Sequence, residues 1–229
     1  MGNVRRAWLW CLACGIAVLI VSQVMGHVFP TEGAGYSPGY GPPVLAFEFA
    51  TTADDLAKVF GTEDDPARDA RVTAMDHGNW WDYAFMLAYG LYLWTFFRAV
   101  RLTSGRRAWL LFGWFGILAA VCDGIENAIL LGLTADLATA PHLDWLPYPV
   151  WTKFFLLMLT SLAAGYYLVT HRHWFWTTLG LLTICGSLTV LLARWSPADL
   201  AHLITPGITI AWVSQLAYAI YRSLQAERS

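Results

Sequence analysis

Charged side chains are scarce in this sequence. Only 13% of its 229 residues are Asp, Glu, Lys or Arg, whereas 57% are apolar, and the mean hydropathy is +0.48. Soluble domains usually carry about 25% charged residues, so this composition excludes an ordinary soluble domain. It predicts a protein that is embedded in a membrane.

Cysteine is also rare, and none lies in the long polar stretch at 29–78. The four cysteines, Cys11, Cys14, Cys122 and Cys185, all fall in apolar stretches, so no disulfide framework is predicted. Cys11 and Cys14 form a C-x-x-C motif, which in a soluble protein suggests redox or metal chemistry. Within an apolar span we interpret them as small residues at helix contacts.

Several catalytic and cofactor signatures are missing. The sequence contains no HExxH, no GxSxG and no glycine-rich nucleotide-binding loop. A b-type haem needs axial ligands held within the bundle, and no apolar stretch carries a central histidine. We therefore predict no metal, no cofactor and no nucleic-acid partner.

Long apolar stretches are what the sequence has instead. A helix needs about 20 apolar residues to cross the hydrocarbon core, and six stretches qualify: 7–28, 79–98, 108–134, 149–170, 174–194 and 203–222. The first resembles a signal peptide, but its core is too long and lacks a small-residue cleavage site, so we predict an uncleaved anchor. The predicted fold is an all-α polytopic bundle of six transmembrane helices. It divides into an N-terminal helix (1–28), an exoplasmic loop (29–78) and a five-helix bundle (79–229).

Arginine placement predicts the orientation. Nine Arg residues fall at the ends and loops of one side, and only four Lys or Arg residues fall on the other. The first set is Arg5, Arg6, Arg98, Arg101, Arg106, Arg107, Arg172, Arg222 and Arg228; the second is Lys58, Arg68, Arg71 and Arg194. By the positive-inside rule both termini are cytoplasmic, and we predict a location in the bacterial inner membrane.

The exoplasmic loop contains two short elements by pattern. Leu45, Phe47 and Phe49 alternate with smaller or polar residues, which predicts a short strand or extended segment. Thr52 followed by Asp55 resembles a capping box, so we predict a short amphipathic helix at 52–60.

Charge inside the predicted spans is the most informative feature. In the stretch AAVCDGIENAILLGL (119–133), Asp123, Glu126 and Asn127 are spaced i, i+3 and i+4, so they share one helix face. A carboxylate that faced lipid here would be very costly. This face is therefore predicted to point into the bundle, toward water or toward a partner.

Two other spans carry matching groups at a similar depth. Asp82 lies near the start of the second span, with Tyr89 further along the same face, and Lys153 lies near the start of the fourth. Lys153 can meet Asp82 or Glu126 if these helices are neighbours, as short loops favour. The sequence predicts a ligand-binding cluster in the outer half of the membrane, formed by Asp82, Tyr89, Asp123, Glu126, Asn127 and Lys153.

The cluster has two interpretations. In the structural one, Lys153 pairs with one carboxylate, the others are protonated or bonded to Asn127 and Tyr89, and the group holds helices together. In the functional one, the excess of carboxylates over ammonium holds a proton that acid/base chemistry or proton-coupled transport would use.

Three short motifs carry these residues: D-Y-x-F-x-x-x-Y-G at 82–90, D-x-x-E-N-A at 123–128 and W-x-K-F at 151–154. Together with FEFA at 47–50, they resemble a group of bacterial multi-pass membrane proteins that is uncharacterised. The resemblance covers residues 44 to about 160. It implies no particular activity.

Three functions fit these observations. The first, which we favour, is a module whose outward-facing site binds a lipid-like or small polar ligand. The second is an enzyme acting on a lipid or isoprenoid, with Glu126, Asp123 and Lys153 as candidate catalytic residues and the reaction class open. The third is a scaffold or structural subunit that docks through 44–60. The predicted partners are the bilayer, the ligand, and either a membrane-complex partner or a second copy of the chain.

Overall fold

A computed structural model describes residues 2–225, and within this range the chain is helical with no strands. Arg228 and the last residues of the predicted bundle lie outside the described part. The α-helices are α1 (Gly2–Val28), α2 (Pro43–Glu48), α3 (Ala53–Phe60), α4 (Arg68–Ser104), α5 (Trp109–Ala135), α6 (Pro147–Val169), α7 (Trp174–Ser187), α8 (Thr189–Trp195), α9 (Pro197–Leu200) and α10 (Ile204–Gln225). Short 3₁₀ turns lie at Pro38–Tyr40, Leu143–Trp145 and Ala201–Leu203.

Among residues 2–225, five helical segments are long and apolar enough to cross a membrane. They are Gly2–Val28, Trp109–Ala135, Leu143–Val169, Trp174–Trp195 and Pro197–Gln225, which correspond to five of the six predicted spans. The remaining prediction, 79–98, lies within α4, which does not reach the same hydropathy. Its mean hydropathy is lowered by several Trp and Tyr residues together with Asn79 and Asp82. The all-helical membrane bundle is therefore confirmed in its coarse form.

The long helices form a closed ring in chain order. α4 packs against α1 and α5, α6 packs against α5 and α7, and α10 packs against α7 and α1. The turn between α4 and α5 follows from Gly105, which adopts a left-handed conformation (φ 73°) and donates its N–H to the Arg101 carbonyl at 2.8 Å. Glycine at this position ends helices at little steric cost. The ring surrounds an interior that side chains from several helices share.

The predicted strand at 44–50 is wrong, because Pro43–Glu48 forms the helix α2. Pro42 and Pro43 start it, and proline is favoured in the first helical turn, where no N–H partner is needed. Leu45, Ala46 and Phe47 are all buried. An element that is buried on several sides has no polar face, and a polar face is what normally shows the helical period in a sequence. The alternation of large and small residues at 44–50 therefore did not indicate a strand.

The predicted helix at 52–60 is confirmed as α3. Thr52 accepts a hydrogen bond from the Asp55 backbone N–H at 3.1 Å, and Asp55 Oδ2 accepts one from the Thr52 N–H at 3.0 Å. This reciprocal capping box satisfies two backbone donors at the helix start. Leu56, Val59 and Phe60 form its buried face, so α3 packs as an amphipathic element.

The second predicted span begins earlier than expected. α4 starts at Arg68, so residues 68–78, which we assigned to the exoplasmic loop, belong to a continuous helix. Arg71 Nη1 donates to Asp65 Oδ2 at 2.7 Å and to the Phe60 carbonyl at 2.9 Å. These bonds attach the first turns of α4 to the end of α3.

The fifth predicted span is interrupted at Leu188, between α7 and α8. Ser187 Oγ donates to the Ile184 carbonyl at 2.7 Å, and Thr189 Oγ1 donates to the Gly186 carbonyl at 2.7 Å. Such side-chain bonds compete with the backbone pattern of a helix. Both helices nevertheless remain within one apolar segment.

The backbones of α7 and α10 approach most closely at Gly186 and Gly207. A Cβ atom on Gly207 would collide with the Gly186 carbonyl oxygen, and one on Gly186 would lie 3.1 Å from the Gly207 carbonyl oxygen. The contact therefore requires residues without side chains.

We expect Gly207→Ala to destabilise the fold by about 1–3 kcal/mol, because an added methyl group forces packed helices apart. The matched control is Gly132→Ala in α5, where a new Cβ meets no atom within 4 Å. Thermal unfolding in detergent micelles measures both variants. Equal midpoints for the two would contradict the assignment of a required close contact.

Candidate functional site

The Lys153 ammonium is the centre of a buried ion cluster. Lys153 lies in the second turn of α6 and is 5% exposed. Its Nζ donates to Glu126 Oε1 at 2.8 Å, to Asp123 Oδ1 at 3.0 Å and to Glu48 Oε2 at 3.3 Å. An ammonium group has three donor hydrogens. Each of them has a carboxylate partner here.

The remaining predicted residues extend this cluster along α4 and α5. Tyr89 donates its hydroxyl to Asp123 Oδ2 at 2.8 Å, so both oxygens of Asp123 accept hydrogen bonds. Asn127 Nδ2 donates to Asp82 Oδ2 at 2.7 Å and makes a longer contact, 3.4 Å, to the Asn79 carbonyl. The i, i+3, i+4 spacing on α5 thus directs three polar side chains at α4 and α6.

The structure brings together all six residues proposed from the sequence, but not in every expected pair. Lys153 reaches Glu126, whereas no contact joins Lys153 to Asp82 among the described residues. Asp82 is paired with the neutral amide of Asn127 instead. α4 and α6 both pack against α5. Residues of α5 therefore bind Asp82 on α4 as well as Lys153 on α6.

Sequence reasoning missed Glu48, which lies in the predicted exoplasmic loop and was not assigned to the cluster. It is the last residue of α2, and its side chain is only 12% exposed. The signal was present in the sequence, since Glu48 lies between Phe47 and Phe49 and both of these are buried. A lone carboxylate inside an apolar segment needs a cation, and Lys153 is that cation.

Carboxylates outnumber ammonium groups in this cluster by four to one, counting Glu48, Asp82, Asp123 and Glu126 against Lys153. Glu126 is fully buried, and its Oε2 has no hydrogen-bond partner in the described part of the chain. Burial raises the pKa of the Glu48 carboxyl, and the nearby Lys153 ammonium opposes that shift. The site is therefore buried and rich in carboxyl groups.

A cavity of about 700 Å³ adjoins the cluster. Its polar wall is formed by Glu48, Asn79, Asp82, Tyr89, Asp123, Asn127 and Lys153. The opposite walls are mostly apolar side chains of α1 and α10, and residues 42–45 lie against one end. Glu126 does not line the cavity, although its neighbours on α5 do.

Asn79 is a second polar residue that the sequence did not indicate. It is 1% exposed, it lines the cavity, and its Nδ2 has no hydrogen-bond partner among residues 2–225. Most buried polar groups in proteins are hydrogen-bonded. The unpaired Nδ2 is a donor that an acceptor atom could satisfy.

Within the described part of the chain, no group of three or more His, Cys, Asp or Glu residues is arranged to hold a metal ion. The three carboxylates that come closest together surround an ammonium group. The position that a cation would take between them is occupied by Lys153 Nζ.

No family model, curated protein or solved structure matches this chain. The resemblance of its short motifs to a bacterial membrane group stays a prediction.

We expect Lys153→Met to destabilise the protein by about 3–5 kcal/mol, because removing one partner of a buried ion pair leaves the other charges uncompensated. The matched control is Lys58→Met, which removes the exposed pair between Lys58 and Asp54 on α3 and which we expect to leave the unfolding midpoint unchanged. Thermal unfolding in micelles compares the two variants.

A second variant separates charge from packing. Adding Glu126→Gln to Lys153→Met removes one uncompensated carboxylate, so the double variant should be more stable than Lys153→Met alone. If Lys153→Met were as mild as Lys58→Met, the cluster would not stabilise the fold.

Proposed function

We propose that this protein binds a lipid-like, amphipathic molecule in the cavity beside the Lys153 cluster. The observation that carries the proposal is the two-sided lining of that cavity, acidic and polar on one wall and mostly apolar on the others, where Ser22, Gln23 and Thr209 add a few polar groups. Small-molecule sites usually have volumes of about 300–1,000 Å³ and a few polar groups that fix orientation. The volume of about 700 Å³ falls in this range.

The ligand enters from the bilayer rather than from water. Leu19 on α1 and Val213 on α10 line the cavity and are 46% and 51% exposed. Residues with both properties mark an opening between α1 and α10. In a spanning bundle this opening faces the acyl chains, which supports a ligand that partitions into the membrane.

The proposed topology has six spans, with α4 as the second, and both termini in the cytoplasm of a bacterium. The arginine distribution supports this orientation. The packing of α4 between α1 and α5 supports its inclusion as a span, since both neighbours are long enough to cross the membrane. The segment containing α2 and α3 is then exoplasmic, and the cavity lies in the outer half of the bilayer.

Native mass spectrometry of the protein extracted in mild detergent tests the binding proposal. We expect the wild type to carry a bound membrane-derived molecule. Ser22→Trp should lose it, because Ser22 lines the cavity and is not part of the ion cluster. The control Asp144→Asn alters an exposed acid outside the cavity and should retain the molecule. A wild type without bound molecules, or equal retention by Ser22→Trp, would refute the proposal.

Cysteine labelling on intact cells tests the topology. In a background without the native cysteines, Asp64→Cys in the exoplasmic segment should react with a membrane-impermeant maleimide. Ser104→Cys, at the end of α4, should react only after lysis. Both positions are solvent-exposed, so accessibility within the protein does not limit the reaction. The opposite labelling pattern would reverse the orientation.

A further inference from the structure

We infer that the head group bound in this cavity is a protonated amine, with Asp82 as its principal anionic partner. This inference rests on the proposed function, because it specifies the chemistry of the ligand at the same site. It concerns ammonium groups on an apolar chain, whether they belong to a membrane lipid or to a free long-chain amine.

Lys153 cannot recognise an anionic head group. Its three hydrogens already point at Glu48, Asp123 and Glu126. A phosphate or carboxylate would find no free ammonium hydrogen there. It would also meet an excess of carboxylates, which repel it in a buried site.

Asp82 forms no direct ion pair within the described residues, because Lys153 donates its hydrogens to other carboxylates. Asp82 lines the cavity, and its single hydrogen bond among the described residues is the one that Oδ2 accepts from the neutral Asn127 amide. An ionised carboxylate offers about four acceptor positions on its two oxygens. A carboxylate inside a membrane bundle is costly unless a charge or several donors compensate it. An ammonium group in the cavity supplies both.

Asn79 offers a polar contact that is independent of the acidic residues. Its side chain is buried on the cavity wall, and its Oδ1 accepts no hydrogen bond within the described residues. Its Nδ2 is also unpaired there, but as a donor it gains nothing from an ammonium group. An amide oxygen accepts hydrogen bonds from an ammonium group. Asn79 and Asp82 lie three residues apart on α4 and therefore on the same helix face.

Aromatic rings complete the environment of a cation. Tyr89 and Trp212 line the cavity and stack with their ring centroids 5.4 Å apart. Ring faces attract cations, and Trp does so most strongly. Acidic and aromatic walls together favour an amine over an alcohol of the same length, which gains neither the charge pairing nor the cation–π attraction.

Binding of three matched 12-carbon probes tests this inference: dodecylammonium, dodecanol and dodecanoate. The wild-type protein in lipid nanodiscs at pH 7 should bind dodecylammonium at least tenfold more tightly than either of the others. Asp82→Asn should weaken dodecylammonium binding at least tenfold and leave dodecanol binding unchanged. Asp144→Asn makes the same charge change outside the cavity and should have no effect.

The source of the amine is tested with two lipids of identical acyl chains. Phosphatidylethanolamine carries ammonium hydrogens, and phosphatidylcholine carries none. Preference for phosphatidylethanolamine, lost in Asp82→Asn, identifies a membrane lipid. Binding of dodecylammonium but of neither lipid identifies a free amine.

The outcomes separate the two proposals. If dodecanol or dodecanoate binds as tightly as dodecylammonium and Ser22→Trp abolishes this binding, the amine inference is overturned while the binding function stands. Equal effects of Asp82→Asn and Asp144→Asn also overturn it. If no probe binds in a manner sensitive to Ser22→Trp and the wild type carries no bound molecule, both proposals fail.

Discussion

The Lys153 ammonium lies inside a helix bundle where water does not solvate it, so the protein itself must balance its charge. It does so with carboxylates from three different elements: Glu48 on α2, and Asp123 and Glu126 on α5 facing Lys153 on α6. Breaking such a cluster costs several kcal/mol, about 3–5 for one removed partner. The cluster therefore joins α6 to α5 and fixes the segment outside the bundle against both.

The same ion pairs shape the cavity. Because Glu48 is bound to Lys153, α2 and the prolines that start it stay at one end of the cavity. All three ammonium hydrogens are used, whereas Asp82 and Asn79 on α4 also line the cavity and form no ion pair within the described residues. The ion pairs therefore join α2, α5 and α6, and α4 adds polar groups to the cavity wall.

Local signals predicted much of the fold and part of the site. The capping box at Thr52 and Asp55 gave the start of α3, since it depends on residues three apart. Apolar length gave five spans. The pattern at 44–50 misled us, because burial of Leu45, Ala46 and Phe47 on several sides removes the polar face that separates helix from strand. The start of α4 was missed because the polar residues after Arg68 resemble a loop in composition, although they continue a helix.

By itself, the sequence determined which residues carry charge into apolar spans and that Asp123, Glu126 and Asn127 share a helix face, because helical periodicity is a local property. The tertiary structure alone decided their partners. Lys153 and Glu48 are 105 residues apart, and Asn127 and Asp82 are 45 apart. Such pairs depend on how helices pack and on where an external segment docks. The cavity likewise exists only between helices, so no single stretch of sequence contains it.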